Sequence, residues 1–166
     1  MMRIIQMLSV AIGLLFVIET NATVLTSSDF ERFLDLHNKA NRIVRDFLES
    51  EEAIRRYSDD THLAASICLE RMRSDMMVLL QDSGELYLLA LIGSEMVHPT
   101  DEERVVGVAN IVIDTIKKDI ANVRGLVNQH ASGCPTISLV AAKAQQILSF
   151  MDEFARVVRS IADRIK

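Results

Sequence analysis

The chain of 166 residues has no tryptophan, only 5% aromatic residues, two prolines, six glycines and two cysteines. Each shortage excludes something. Sheet sandwiches and barrels need many short strands, Gly- and Pro-rich turns and aromatic or β-branched faces. A chain this poor in turn formers has few connections, so its elements are long. Two cysteines cannot build a disulfide-dense scaffold or a Cys/His zinc framework. Basic residues are the minority, 18 Lys and Arg against 23 Asp and Glu, for a net charge of −5. Phosphate backbones are bound by clustered Lys and Arg, so nucleic acid is not expected as a partner. Electrostatic docking on anionic membranes is disfavoured for the same reason. No nucleophile elbow, phosphate-binding glycine loop or haem-attachment motif occurs in the chain.

What is present is apolar mass, 49% of the residues, carried by Leu, Ile, Val, Ala and Met. The length suffices for one domain with a real core. Residues 1–22 stand apart from it. Arg3 supplies a short basic start, Ile4–Ile18 is apolar, and Thr20-Asn21-Ala22 is a small, polar end. That is a secretory signal pattern, with cleavage expected after Ala22 and a single mature domain over 23–166. The competing reading, a membrane anchor, suits the run less, because about fifteen residues interrupted by Gln6 and Ser9 fall short of the roughly 20 that span a bilayer. No second stretch reads as a span. The location expected is extracellular, or periplasmic in a bacterium.

The mature sequence is patterned at helical period. Between Ile137 and Ile165 apolar residues recur at spacings of three and four: Ile137, Val140, Ala144, Ile147, Met151, Phe154, Val158, Ile161, Ile165. The other face carries Gln145, Gln146, Ser149, Asp152, Arg156, Arg159 and Asp163. A helix with one long apolar seam needs a partner surface, and three further segments supply it. The first is expected from about Asp29 to Tyr57, opened by a Ser28/Glu31 capping box, in which side chain and backbone satisfy each other's free groups. The second spans about Thr61 to Val97, with a seam through Ala65, Leu69, Met72, Met76, Leu79, Ser83, Leu86, Ala90 and Gly93. Asp82-Ser83-Gly84 is a place for a kink or a split near Gly84. Leu86–Ile92 carries no charge on any face, a pattern that predicts burial all round. The third covers about Asp101 to Ala131 behind His98-Pro99, with a Thr100/Glu103 capping box and a seam from Val106 to Val127. Ser132-Gly133 is expected to close it through a left-handed glycine, and Pro135 to open the fourth. Short connections between helices of similar length predict an all-α, antiparallel up-down-up-down four-helix bundle.

Cys68 near the start of the second helix and Cys134 just past the end of the third fall at one end of such a bundle. One disulfide, Cys68–Cys134, is expected. The alternatives are a small core thiol at Cys68, or a redox role for Cys134 at a helix N-terminus, which no Cys-x-x-Cys spacing supports.

Several constellations carry possible chemistry. Glu95 and His98 have the Glu-x-x-His spacing of di-iron bundles, with Asp101, Glu102 and Glu103 nearby. Those sites need a second such motif, and acidic residues also suit a first helical turn for its dipole, so no metal is expected. His62 and His130, near Asp59 and Asp60, fall at the cysteine end. His37 sits on an apolar seam, where a lone histidine is usually hydrogen-bonded to a neighbour. Met72, Met76 and Leu79, with Leu86, Leu89 and Ile92, form an adaptable apolar stripe. It is core filling, the wall of a cavity for a small apolar ligand, or a face for a second molecule. The expected function is non-enzymatic: a secreted bundle that binds another protein or itself, or alternatively carries a small apolar ligand between its helices. No cofactor is expected.

Overall fold

The computed structural model describes residues 25–94, 99–135 and 137–165. They form four helices: α1 Ser27–Arg55, α2 Asp60–Ser94, α3 Pro99–Gly133 and α4 Ser138–Ile165. Among the described residues there is no strand. Each helix packs antiparallel on the next, and α4 returns beside α1, so the fold is the expected four-helix bundle. The closest pairing is α1 with α2, and α4 meets α1 along a much looser seam. The leader lies outside the described residues.

The seam of α4 is buried from Val140 to Ile165, widened by Phe150, Val157 and Ala162. It meets Phe33, Ala40 and Phe47 of α1, Leu69, Met72, Met76 and Leu79 of α2, and Ile113, Ile116 and Val123 of α3 in one core. Apolar side chains recurring at helical period meet there because only a bundle covers four such stripes at once.

Several expected boundaries move. The N-cap of α1 is Thr26, not Ser28, and its capping-box partner is Asp29, not Glu31. The Thr26 hydroxyl accepts from the Asp29 N–H at 3.3 Å. The Asp29 carboxylate accepts from the Thr26 N–H and hydroxyl, both at 2.9 Å. Asp29 is buried, and Arg164 of α4 donates to it at 2.6 Å. The decision for Thr26 is tertiary, because only Asp29 lies within reach of Arg164. Thr26→Ala is therefore expected to cost about 1 kcal/mol, and Ser28→Ala less than about 0.5 kcal/mol. Urea midpoints of the two variants check this, and equal losses would return the cap to Ser28.

Helix α2 is continuous through Gly84. Ser83 is not a fresh cap: its hydroxyl donates back to the Leu80 carbonyl at 2.7 Å. That hydroxyl proton is thereby committed, so the 3.2 Å contact with His37 is the histidine Nδ1–H donating to Ser83. A Cβ at Gly84 would meet the His37 ring at 3.5 Å, an ordinary packing distance, so the helix runs through this position without needing a glycine there. Helix α3 already begins at Pro99, so Thr100 cannot be its N-cap; a proline at the first helical position wastes no donor. Gly133 is the last residue of α3 and has no positive φ. The helix stops where Cys134 is tied to α2 and Pro135 cannot continue it. Pro135 stays outside α4, whose first turn is closed by the Ile137 carbonyl accepting from the N–H groups of Val140 and Ala141.

Leu86–Ile92 is not buried all round. Leu86, Leu89 and Ala90 are buried, but Leu88 and Ile92 are each 53% exposed. A helix in a four-helix bundle has neighbours on its inner side only, so its outer face stays in solvent. Helix α2 is also long and apolar enough to cross a membrane, with a mean hydropathy of 1.3 over its most apolar stretch, although no second such stretch was expected. In the bundle its inner seam packs on the other three helices.

Candidate functional site

The α2–α3 seam gathers most of the unusual chemistry. Its register is set at three levels. Cys68 and Cys134 are bridged at the start of α2, with a Cα–Cα distance of 6.1 Å. One heptad along α2, Asp75 faces His130, 3.4 Å from Oδ2 to Nε2. Near the far end, Gly93 lies against Val105, whose Cγ1 would be 3.7 Å from a Cβ built on the glycine. Between these levels Asp82 and Leu89 continue the same heptad flank, and both are buried. The cysteine pairing is the one expected from the sequence, and no free cysteine is present.

Two carboxylates on this flank are not among the candidate groups read from the sequence, where Asp82 figures only in the expected kink. Asp82 is only 4% exposed, and its Oδ2 has no hydrogen-bond partner. Burial, then the nearby charges of Asp119 and Glu85, push its carboxyl up to about 7. Asp75 is raised by burial, against which the His130 charge pulls down. Its Oδ2 likewise makes no hydrogen bond, so His130 acts as a charge partner out of hydrogen-bond geometry. Other buried charges among the described residues have partners. Burial pushes Asp29 up, but hydrogen bonds from Arg164 and Thr26 outweigh it and leave the group below its ordinary value. Lys143, buried beside Phe47, bonds to Asp46 and holds that carboxyl down. Glu51, 2% exposed, takes Arg73 Nε at 2.6 Å.

At the Gly93 end the seam changes character. Leu88 and Ile92 face solvent from α2, and Val108 and Ile111 from α3, at 50% and 70% exposure. The antiparallel register puts Ile92 and Val108 at about one level, so this end of the two helices carries four exposed apolar side chains. Val108 and Ile111 were missed by the sequence reading, which followed only the buried seam of the third helix. Their signal was the uncharged stretch Val105–Val112, broken only by Asn110 and wider in apolar residues than one stripe needs.

The other expected site residues separate. Met72, Met76, Leu79 and Leu86 have at most 1% exposure and fill the core, and Leu89 is buried beside them. Of the six apolar site residues only Ile92 is exposed. Among the described residues, three surface cavities are lined by other groups. One of about 470 Å³ lies between α1 and α4, over Ile43 and Phe150 and beneath Lys39 and Arg42. A second of about 320 Å³ follows it along the same seam. The third, about 400 Å³, lies beside Cys134, Ile137, Val140 and Leu148. Glu95 and His98 lie outside the described residues. His62 is engaged by Asp59, its own helix cap, and stacks on Tyr57, while His130 belongs to Asp75. Among the described residues no group of three His, Cys, Asp or Glu is placed to hold a metal ion. His37, besides its bond to Ser83, stacks on Tyr87, which packs on Phe30.

No family model, no curated protein and no solved structure matches this chain.

Proposed function

We propose that this protein is a secreted, non-enzymatic interaction module that binds another protein, or a second copy of itself, through the α2–α3 face. The observation that carries the reading is the strip of Leu88, Ile92, Val108 and Ile111, each at least half exposed. Isolated surface leucines are ordinary, but four large apolar side chains on adjoining helices form a contiguous patch of the kind that marks interfaces. Side chains at the centre of such patches carry most of the binding free energy. The basic start and apolar run of residues 3–18 support export, and a disulfide suits an oxidising compartment.

Ile111→Glu tests the reading, because Ile111 is the most exposed of the four and its replacement leaves the core untouched. Light scattering coupled to size exclusion is expected to show a concentration-dependent dimer, or native-fluid capture a defined partner. Ile111→Glu is expected to weaken either association at least about tenfold, the ordinary loss at a central interface side chain. A strict monomer that retains no partner, or association indifferent to Ile111, would remove the proposal.

A further inference from the structure

Among the described residues, the α2–α3 seam holds a buried acid with no counter-charge. Asp82 lies midway along it, and Oδ2 is sealed from solvent without a hydrogen-bond donor. The charged groups that act on it are Asp119 from α3 and Glu85 from its own helix, both of the same sign. On the flank of α2 that faces α1, Arg73 is occupied by Glu51. One heptad away Asp75 has His130; Asp82 has no such cation among the described residues. Other buried charges in the bundle are paired: Asp29 with Arg164, Lys143 with Asp46, Glu51 with Arg73. An ionised carboxylate buried in the seam near two others is costly, whereas its neutral form is tolerated and gains a donor proton.

We infer that Asp82 is a proton-operated switch in the α2–α3 seam: protonated, it lets the two helices close over it, and ionised opposite Asp119 it parts them in the middle. The disulfide at one end and the packed Gly93–Val105 contact at the other confine the opening to the segment between. This rests on the buried acid alone and is independent of the apolar strip.

The sign follows from linkage. The carboxyl is held at about 7 in the folded protein against an ordinary 3.8. Above neutrality both folded and unfolded chains carry the ionised group, and the folded state bears its full burial cost. As pH falls from 7 towards 3.8 only the folded state takes up the proton, so stability rises. The slope is at most tenfold in the folding constant per pH unit, about a thousandfold over the window as an upper bound. Asp75 acts in the same direction. Asp29 and Asp46, held below 3.8, act only beneath that window and in the opposite sense, since their stabilisation is lost as pH falls through their lowered values.

Amide hydrogen exchange of the oxidised protein between pH 5 and 9, corrected for intrinsic rates, reads the switch directly. Protection over Ile113–Val123 of α3 is expected to fall at least tenfold from pH 5 to pH 9. Asp82→Asn, nearly the same shape without the charge, is expected to keep that protection across the range. Asp119→Asn is expected to move the Asp82 midpoint to lower pH, because one of the like charges that hold the carboxyl up is gone while burial remains; a carboxyl carbon NMR titration of Asp82 in the unaltered chain reads the midpoint itself without any variant. A midpoint near neutrality, lost as a signal in Asp82→Asn, sustains the inference. An Asp82 midpoint in the ordinary carboxylate range, or an exchange profile that Asp82→Asn leaves unchanged, overturns it.

Discussion

Removing the Cys68–Cys134 bridge is expected to lower the stability of this protein by about 4 kcal/mol, an upper value set by loop-closure entropy. The bond joins residues 66 apart, a loop that holds the rest of α2 and all of α3. Its effect falls on the unfolded chain, which without the bond regains the freedom of that loop. With about 2 to 4 °C per kcal/mol for a chain of this size, the melting temperature should drop by roughly 10 °C. Thermal unfolding with and without reductant, and of Cys68→Ala/Cys134→Ala, checks the value. A shift of under about 3 °C would mean that the reduced chain remains restrained in its unfolded state. Since the same bond holds α2 to α3 at one end, reduction should also widen the hydrogen exchange of the seam beyond the reach of Asp82.

Phe154→Ala should cost about 3 to 5 kcal/mol. Phe154 is fully buried, in the middle of the α4 seam, with its ring centroid 5.7 Å from that of Phe150. The truncation removes most of a ring from a place where all four helices contribute core residues, and helices tied by short connections cannot slide together to refill it. Phe154→Leu keeps much of the volume and should cost less than about 2 kcal/mol. Arg159→Ala, on the exposed side of the same helix, should stay within about 0.5 kcal/mol. Urea denaturation of the three variants separates packing from helix propensity. Similar losses at Phe154 and Arg159 would mean that the α4 seam is not the centre of the core.

Much of this was legible before any coordinates. The three- and four-residue spacing from Val140 to Ile165 names the buried face of α4 almost residue by residue. The same spacing puts Met72, Met76 and Leu79 on one stripe of α2, though it does not say whether that stripe is core, ligand wall or interface, and the antiparallel order of the helices brings Cys68 to Cys134. Periodicity reports which side of a helix is apolar, and an apolar side is buried wherever a partner exists. It does not report how wide the partner is. Leu88 and Ile92 belong to a run with no charge, yet α2 has no neighbour on that side, so they stay exposed. The chosen caps failed for a related reason. Ser28 and Thr26 are equivalent as local hydrogen-bond acceptors, and Arg164, 135 residues further on, decides between their partners by reaching Asp29.

The sequence by itself determined the helical class, the four segments, the composition of the core and the pairing of the two cysteines. Each of these depends on local period, on connection length or on having only two thiols to join. Tertiary structure alone decided what surrounds the polar groups that the helices carry inward. Asp29 meets an arginine and Asp75 a histidine, while Asp82 meets two more carboxylates. In the sequence these three are the same residue type beside an apolar stripe. Whether such a charge is held, neutralised or left alone depends on the facing helix and on the exclusion of water, and neither exists until the helices are packed together.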